Sequence, residues 1–263
     1  MELLLKILFC AAGAFYFFAG VSAFFAALKS RAVFRALFAS GFLLHTAALV
    51  LICAHYSRAP FANPFELVES IAWAAAVLYM VFSLFLEMKI GGVLVSIAVG
   101  ALAILPACCP KFVDEIPVGE TLGAIAFLHA ALAVAGFAVL AFAAALGGMY
   151  MLLCKMLKEK SRSAMSSGNP PLAKIARLGR GSLFCATAVM AASLVAGVFA
   201  ALGVEMNAGF ALKFCAGGFL FLAMLALCAF INKLSDLAGA RLCVLLFGAS
   251  LLLLIPIEIG VMQ

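Results

Sequence analysis

GAIAFLHAALAVAGFAVLAFAAALGGMYMLL, residues 123–153, contains no Asp, Glu, Lys or Arg, and His129 is its one basic side chain. A bilayer core is crossed by about 20 apolar residues, so this stretch alone makes a transmembrane helix with enough left to tilt or project at its basic end. Its apolar positions are continuous, whereas a barrel strand alternates apolar and polar positions over about 10 residues. Outer-membrane barrels are thereby excluded. Working outward, further apolar runs lie near 7–28, 36–55, 68–86, 90–109, 183–204, 210–231 and 242–262. The expectation is an all-α polytopic membrane protein of about eight transmembrane helices, forming one integral membrane domain over 1–263. Composition agrees: 68% of the 263 residues are hydrophobic and 11% charged, where a soluble domain has about a quarter charged. No loop is long enough to fold alone, which excludes an extramembrane catalytic domain, a coiled coil or a nucleic-acid-binding module. The first run is too long, and too poor in preceding basic residues, for a cleavable signal peptide.

Orientation follows from the 17 basic residues, because Lys and Arg are retained on the cytoplasmic side. In an eight-helix layout Lys29, Arg31, Arg35, Lys89, Lys155, Lys158, Lys160, Arg162, Lys174, Arg177, Arg180, Lys233 and Arg241 share one side. Only Lys6, Arg58, Lys111 and Lys213 fall on the other. Both termini are therefore expected outside, and the basic loop 154–182 inside. The net charge of +6 then reports topology and attraction to membrane lipid, and no nucleic-acid partner is expected. Ser161–Pro171 is the one linker-like stretch, since the Pro170-Pro171 pair cannot sit inside a helix. It divides the predicted helices five and three, and Leu172–Leu183 after it reads as a short interfacial helix.

Ionisable groups inside apolar spans are costly, so each is a functional candidate. His45 lies halfway through the second span, His129 about two turns inside the fifth, and His55 where the second span meets water. A neutral imidazole can offer one nitrogen to a metal, including haem iron. The competing reading is a histidine satisfied by a carbonyl or hydroxyl of a neighbouring helix. His45 and His55 cannot share one iron, because ten helical residues separate them by about 15 Å of rise. A second polar cluster, SRAPFANPFELVES at 57–70, offers Asn63, Glu66 and Glu69 just before Trp73, the only tryptophan. Its plainer reading is a turn whose carboxylates favour the start of a helix. The loop PKFVDEIPVGETLG at 110–123 reads as a solvated cap. The nine cysteines make no CxxC, CxxCH or zinc spacing, and the glycines at 147, 148, 217 and 218 read as close helix-packing points.

Taken in order, these residues resemble a known family. His45, the turn P-x-x-N-x-x-E-x-x-E-S at Pro60–Ser70, the helix start L-H-x-x-x-x-x-x-G-F at Leu128–Phe137, the PPL of the basic loop and SLVAGVFAAL at 193–202 are similar to the cytochrome c assembly protein family. Within it, the closer similarity is to the small eight-helix HemX-like and YpjD-like branch. The resemblance implies a multi-pass protein of a bacterial-type inner membrane. It also implies haem handled on the outer side, as by the CcsA and CcmC members, with other cytochrome c assembly proteins as partners. His129 takes the position of the family's first outer histidine. The segment corresponding to the family's tryptophan-rich stretch reads LGVEMNAGFALK at 202–213, without tryptophan, and no histidine follows His129.

The functional expectation is a protein that binds or passes haem, or supports the complex that does, rather than a catalyst on its own. His129 is the expected axial ligand and His45 a second, inner one. Glu69, Asn63 and Trp73 would line an outer vestibule. The alternative is a haem-free membrane partner of an enzyme of haem synthesis or respiratory assembly. A small-molecule transporter is the third reading, and the five-plus-three division and scarcity of mid-span helix breaks argue against it.

Overall fold

The computed structural model describes residues 1–25, 31–61, 63–105, 123–159, 169–202 and 208–261. Cys108, Cys109, Lys29, Lys111 and most of the 110–123 and 161–171 segments lie outside them. Among the described residues the chain forms α-helices and no strand: α1 Glu2–Phe25, α2 Arg31–Tyr56, α3 Pro64–Phe85, α4 Lys89–Ile104, α5 Ala124–Lys158, α6 Leu172–Ala201, α7 Ala208–Phe230 and α8 Asp236–Val261. A short 3-10 turn, Ile231–Lys233, follows α7. Helices α1, α2, α3, α5, α6 and α7 are long and apolar enough to cross a membrane. Large apolar side chains also point away from the protein, among them Leu43, Leu84, Phe85, Phe219 and Leu245, each at least 65% exposed. Such surfaces suit hydrocarbon. The protein is a multi-pass helical membrane protein.

Several helices begin before the apolar run that announces them. α2 starts at Arg31 and α8 at Asp236, because long charged side chains can extend to an interface while their backbone stays helical. The largest difference concerns Leu172–Leu183, which is the first third of one continuous helix, α6. Ile175, Leu183, Ala186, Met190 and Ser193 are all buried, so one packing stripe at helical spacing runs through the basic segment. Arg180, on that segment, pairs with Asp236 at the start of α8 at 2.5 Å.

The chain separates into two compact units, 1–120 with 152–171 and 121–151 with 172–263. The first holds α1–α4, and the second most of α5 with α6–α8. One boundary therefore falls within α5, between Met151 and Leu152, and another at the end of the serine-rich stretch, between Pro171 and Leu172. In the first unit α1 buries Leu5, Phe9, Ala12, Tyr16 and Ala19, spaced alternately four and three residues as one helix face requires. Gly92, Ser96 and Gly100 put a small residue on every turn of α4. A Cβ at Gly100 would lie 3.0 Å from the Gly13 oxygen and 3.2 Å from the Phe17 nitrogen. α1 and α4 thus meet backbone to backbone, the contact that small residues allow. In the second unit a Cβ at Gly147 would lie 2.6 Å from the Ala240 oxygen, joining α5 to α8. Gly217 and Gly218 do not pack as the sequence suggested, since nothing lies within 4 Å of a Cβ at either.

Replacing Gly100 with leucine should therefore lower the thermal midpoint of the detergent-purified protein, by an amount corresponding to at least about 1–3 kcal/mol. Gly217→Leu should leave the midpoint nearly unchanged, and size-exclusion thermal challenge of both variants measures the difference.

Candidate functional site

After α2 the chain reverses at Ser57, whose φ of 50° is left-handed. α3 then starts on a complete cap. Asn63 is extended and its side-chain oxygen accepts from the Glu66 backbone N–H at 2.8 Å, while Pro64 sits in the first turn, where no N–H is required. The Asn63 amide donates to Glu66 Oε1 at 3.2 Å. Arg58 donates to both Glu66 oxygens, at 2.6 and 2.9 Å, in the two-pronged geometry that suits guanidinium and carboxylate. Its guanidinium lies 5.0 Å from the Tyr56 ring centroid, and the hydrogen bonds to Glu66 hold its pKa above the ordinary arginine value. Ser70 closes the turn by donating to the Pro60 carbonyl at 3.0 Å. Glu66 is 1% exposed, yet its charge is fully matched.

Glu69 lies on the same face of α3 one turn further in and is 0% exposed. Its Oε2 is 3.0 Å from Nε2 of His45 on α2, also 0% exposed. The two atoms are at hydrogen-bond distance but misaligned, and neither His45 nitrogen nor either Glu69 oxygen has another partner among the described residues. The His45 ring is enclosed edge-on by Phe9 and Tyr16 of α1, with centroids at 5.6 and 6.1 Å. One residue along α2, Thr46 accepts a 2.9 Å hydrogen bond from the Trp73 indole, which stacks on Phe42 at 5.8 Å and 18°. Trp73 therefore ties α3 to α2.

These positions revise the expected vestibule. Asn63 is a helix cap, Trp73 an interhelical tie, and Glu69 is sealed in the interior of the first unit. His45, expected as an inner iron ligand, presents one nitrogen to Glu69 and is packed by the Phe9 and Tyr16 rings. His55 is exposed and stacks edge-on against Tyr56.

His129 belongs to the second unit, near the start of α5, and is half-buried. Its Nδ1 is 2.8 Å from the Ser193 carbonyl of α6. Ser193 Oγ lies 3.2 Å from the same nitrogen and donates to the His129 carbonyl at 3.0 Å. A carbonyl can only accept, and the serine proton is already used, so Nδ1 carries the hydrogen and Nε2 the lone pair. Gly197, one turn beyond Ser193, makes room for the ring: a Cβ there would lie 2.9 Å from its Nδ1 and Cε1. A histidine whose Nδ1–H is held by a carbonyl is oriented as metal-ligating histidines are, which leaves Nε2 of His129 as the nitrogen that could ligate. Among the described residues no group of three or more His, Cys, Asp or Glu could hold a metal ion.

Sequence reading singled out His45, Glu69, Asn63, Trp73 and His129, and the structure joins the first four through α2 and α3. It missed the pairing of His45 with Glu69, the roles of Tyr16 and Ser193, and the Arg58–Glu66 clamp. The eight-residue gap between Arg58 and Glu66 across two prolines was the only available signal for that clamp. Compared with known proteins, the chain matches no protein-family model and no curated sequence.

Arg58→Ala would leave a buried carboxylate unpaired, and should destabilise the folded protein by about 3–5 kcal/mol. The double variant Arg58→Ala/Glu66→Ala should recover a large part of that loss, as read from the thermal midpoints of the single and double variants.

Proposed function

We propose that this chain is a membrane protein of cytochrome c assembly that contacts haem through His129, with eight spans and both termini outside a bacterial-type inner membrane. The observation that supports the reading is the 2.8 Å contact of His129 Nδ1 with the Ser193 carbonyl, from which the Nδ1–H tautomer follows. Ser193 holds Nδ1–H, Gly197 leaves space for the ring, and Nε2 is the nitrogen free to ligate. In the orientation implied by the basic residues, the start of α5 faces outward, where haem is presented for attachment to apocytochrome. His129 would hold haem there through Nε2, and bound haem would supply an iron for presentation to apocytochrome. The chain's own part is to orient the imidazole and to hold α5 against α6. Other cytochrome c assembly proteins are the partners this role requires.

A specific observation favours a second reading. The same Ser193 and Gly197 contacts would serve a histidine that only ties α5 to α6, and His45 faces Glu69. A haem-free partner in haem synthesis or respiratory assembly would then be the role.

Absorption spectra of the detergent-purified protein supplied with haem separate the two. The haem reading predicts a Soret band in the wild type and in His45→Ala, lost in His129→Ala, with affinity reduced about 10-fold or more in Ser193→Ala. Absence of any Soret band after haem is supplied would reject haem contact and leave the assembly-partner reading.

A further inference from the structure

We propose that His45 and Glu69 form an intramembrane proton-binding site, in which a carboxylic acid at Glu69 shares its proton with Nε2 of His45. This inference does not depend on haem binding at His129.

The argument starts from two carboxylates on one face of α3. Glu66 and Glu69 are three residues apart and both sealed from solvent, at 1% and 0% exposure. Glu66 has a permanent cation: Arg58 donates to both of its oxygens, Asn63 donates to Oε1, and α3 begins beneath it. Glu69 has no such partner. Its one close polar neighbour is the imidazole of His45, 3.0 Å away and equally buried. An isolated carboxylate in a low-dielectric interior is far costlier than a neutral acid. The environment therefore specifies opposite states, an anion at Glu66 and an acid at Glu69.

Other polar groups of the first unit lie on α1 and α4. α1 contributes Tyr16, whose hydroxyl is buried without a hydrogen-bond partner among the described residues, whereas Cys10, next along the helix from Phe9, is exposed. α4 contributes Ser96 to the same unit, also buried and without a hydrogen-bond partner. The remaining charges at this end of α3, Arg58 and Glu66, cancel each other. None of these supplies the positive charge that an ionised Glu69 would need.

Proton accounting follows directly. In the proposed state the Glu69 carboxyl turns from the misaligned 3.0 Å contact so that its O–H donates to Nε2, and the imidazole keeps its hydrogen on Nδ1. Moving the shared proton across breaks the O–H bond and forms an N–H bond, giving carboxylate and imidazolium with the same two protons and the same net charge of zero. Losing a proton leaves a buried negative charge, and gaining one leaves a buried positive charge. Both are disfavoured in hydrocarbon, so the pair retains its proton across a wide pH range and can pass it between α2 and α3 without separating net charge from the site.

Infrared spectroscopy of the full-length protein in lipid vesicles tests the proposal. Solvent-exposed carboxyls are ionised at neutral pH, so the expected spectrum contains a protonated-carboxyl C=O stretch that persists at mildly alkaline pH and shifts in heavy water. The band should disappear in Glu69→Gln and change frequency in His45→Gln. If Glu69→Gln does not fold, Glu69→Asp should retain a shifted acid band. Glu69→Gln, which replaces a neutral acid by a neutral amide, should also keep a thermal midpoint closer to wild type than Glu69→Ala does. The absence of an acid band at neutral pH, or a band unaltered by substitution at Glu69, would overturn the proposal. So would a Glu69→Gln midpoint as low as that of Glu69→Ala, which would mark an ion pair.

Discussion

Hydrocarbon gives a helix neither water to hydrogen-bond nor a hydrophobic reason to join another helix, and this constraint governs the whole protein. With 68% hydrophobic residues and large apolar side chains on both inner and outer faces, the helices could associate in many ways. What selects among them is close backbone approach and a small number of polar contacts. Gly13 and Gly100 bring α1 against α4, and Gly147 brings α5 against α8. These approaches bring carbonyls and amides of different helices close enough that one added methyl group would collide. The polar contacts then fix rotation: Trp73 to Thr46 between α2 and α3, His129 to Ser193 between α5 and α6, and Arg180 to Asp236 between α6 and α8.

The same constraint gives the few ionisable groups their chemistry. Arg58 and Glu66 sit where the chain leaves one helix and enters the next, and their charges are matched by geometry. Glu69 and His45 lie deeper, and among the described residues each has only the other within hydrogen-bond distance. A neutral imidazole beside a neutral acid is the state that a low-dielectric interior tolerates, whereas full ionisation would require compensation that no neighbour provides. His129 is different again. It is half-buried, its Nδ1 is committed to the Ser193 carbonyl, and its other nitrogen is available. Three histidines thus have three environments: sealed against an acid at His45, exposed at His55, and oriented with one nitrogen free at His129.

The helical membrane class was legible because it depends on composition and on run length, both of which are properties of the sequence. Boundaries were less so: hydropathy windows register the apolar part of a helix and miss ends such as Arg31–Arg35 and Leu172–Arg180, where charged side chains leave a helical backbone. Individual polar residues were also legible, since His45, Glu69 and His129 stand out against apolar surroundings. Their partners were not. Glu69 is 24 positions from His45, and Ser193 is 64 from His129, separations that no local pattern encodes. Serine is too common in membrane helices to mark itself, and Tyr16 reads in sequence as one more aromatic. Glycine was a two-sided signal: Gly147 makes the predicted contact, while the equally conspicuous Gly217-Gly218 pair faces open space.

Nitrogen-15 NMR of the histidine-labelled protein reads the protonation of each ring nitrogen and so tests most directly whether interior packing sets these states. With three histidines to assign, the expected spectrum shows His45 uncharged at neutral pH with its hydrogen on Nδ1, and a hydrogen on Nδ1 of His129, where it meets the Ser193 carbonyl. An imidazolium at His45, or an Nε2–H tautomer at His129, would contradict it.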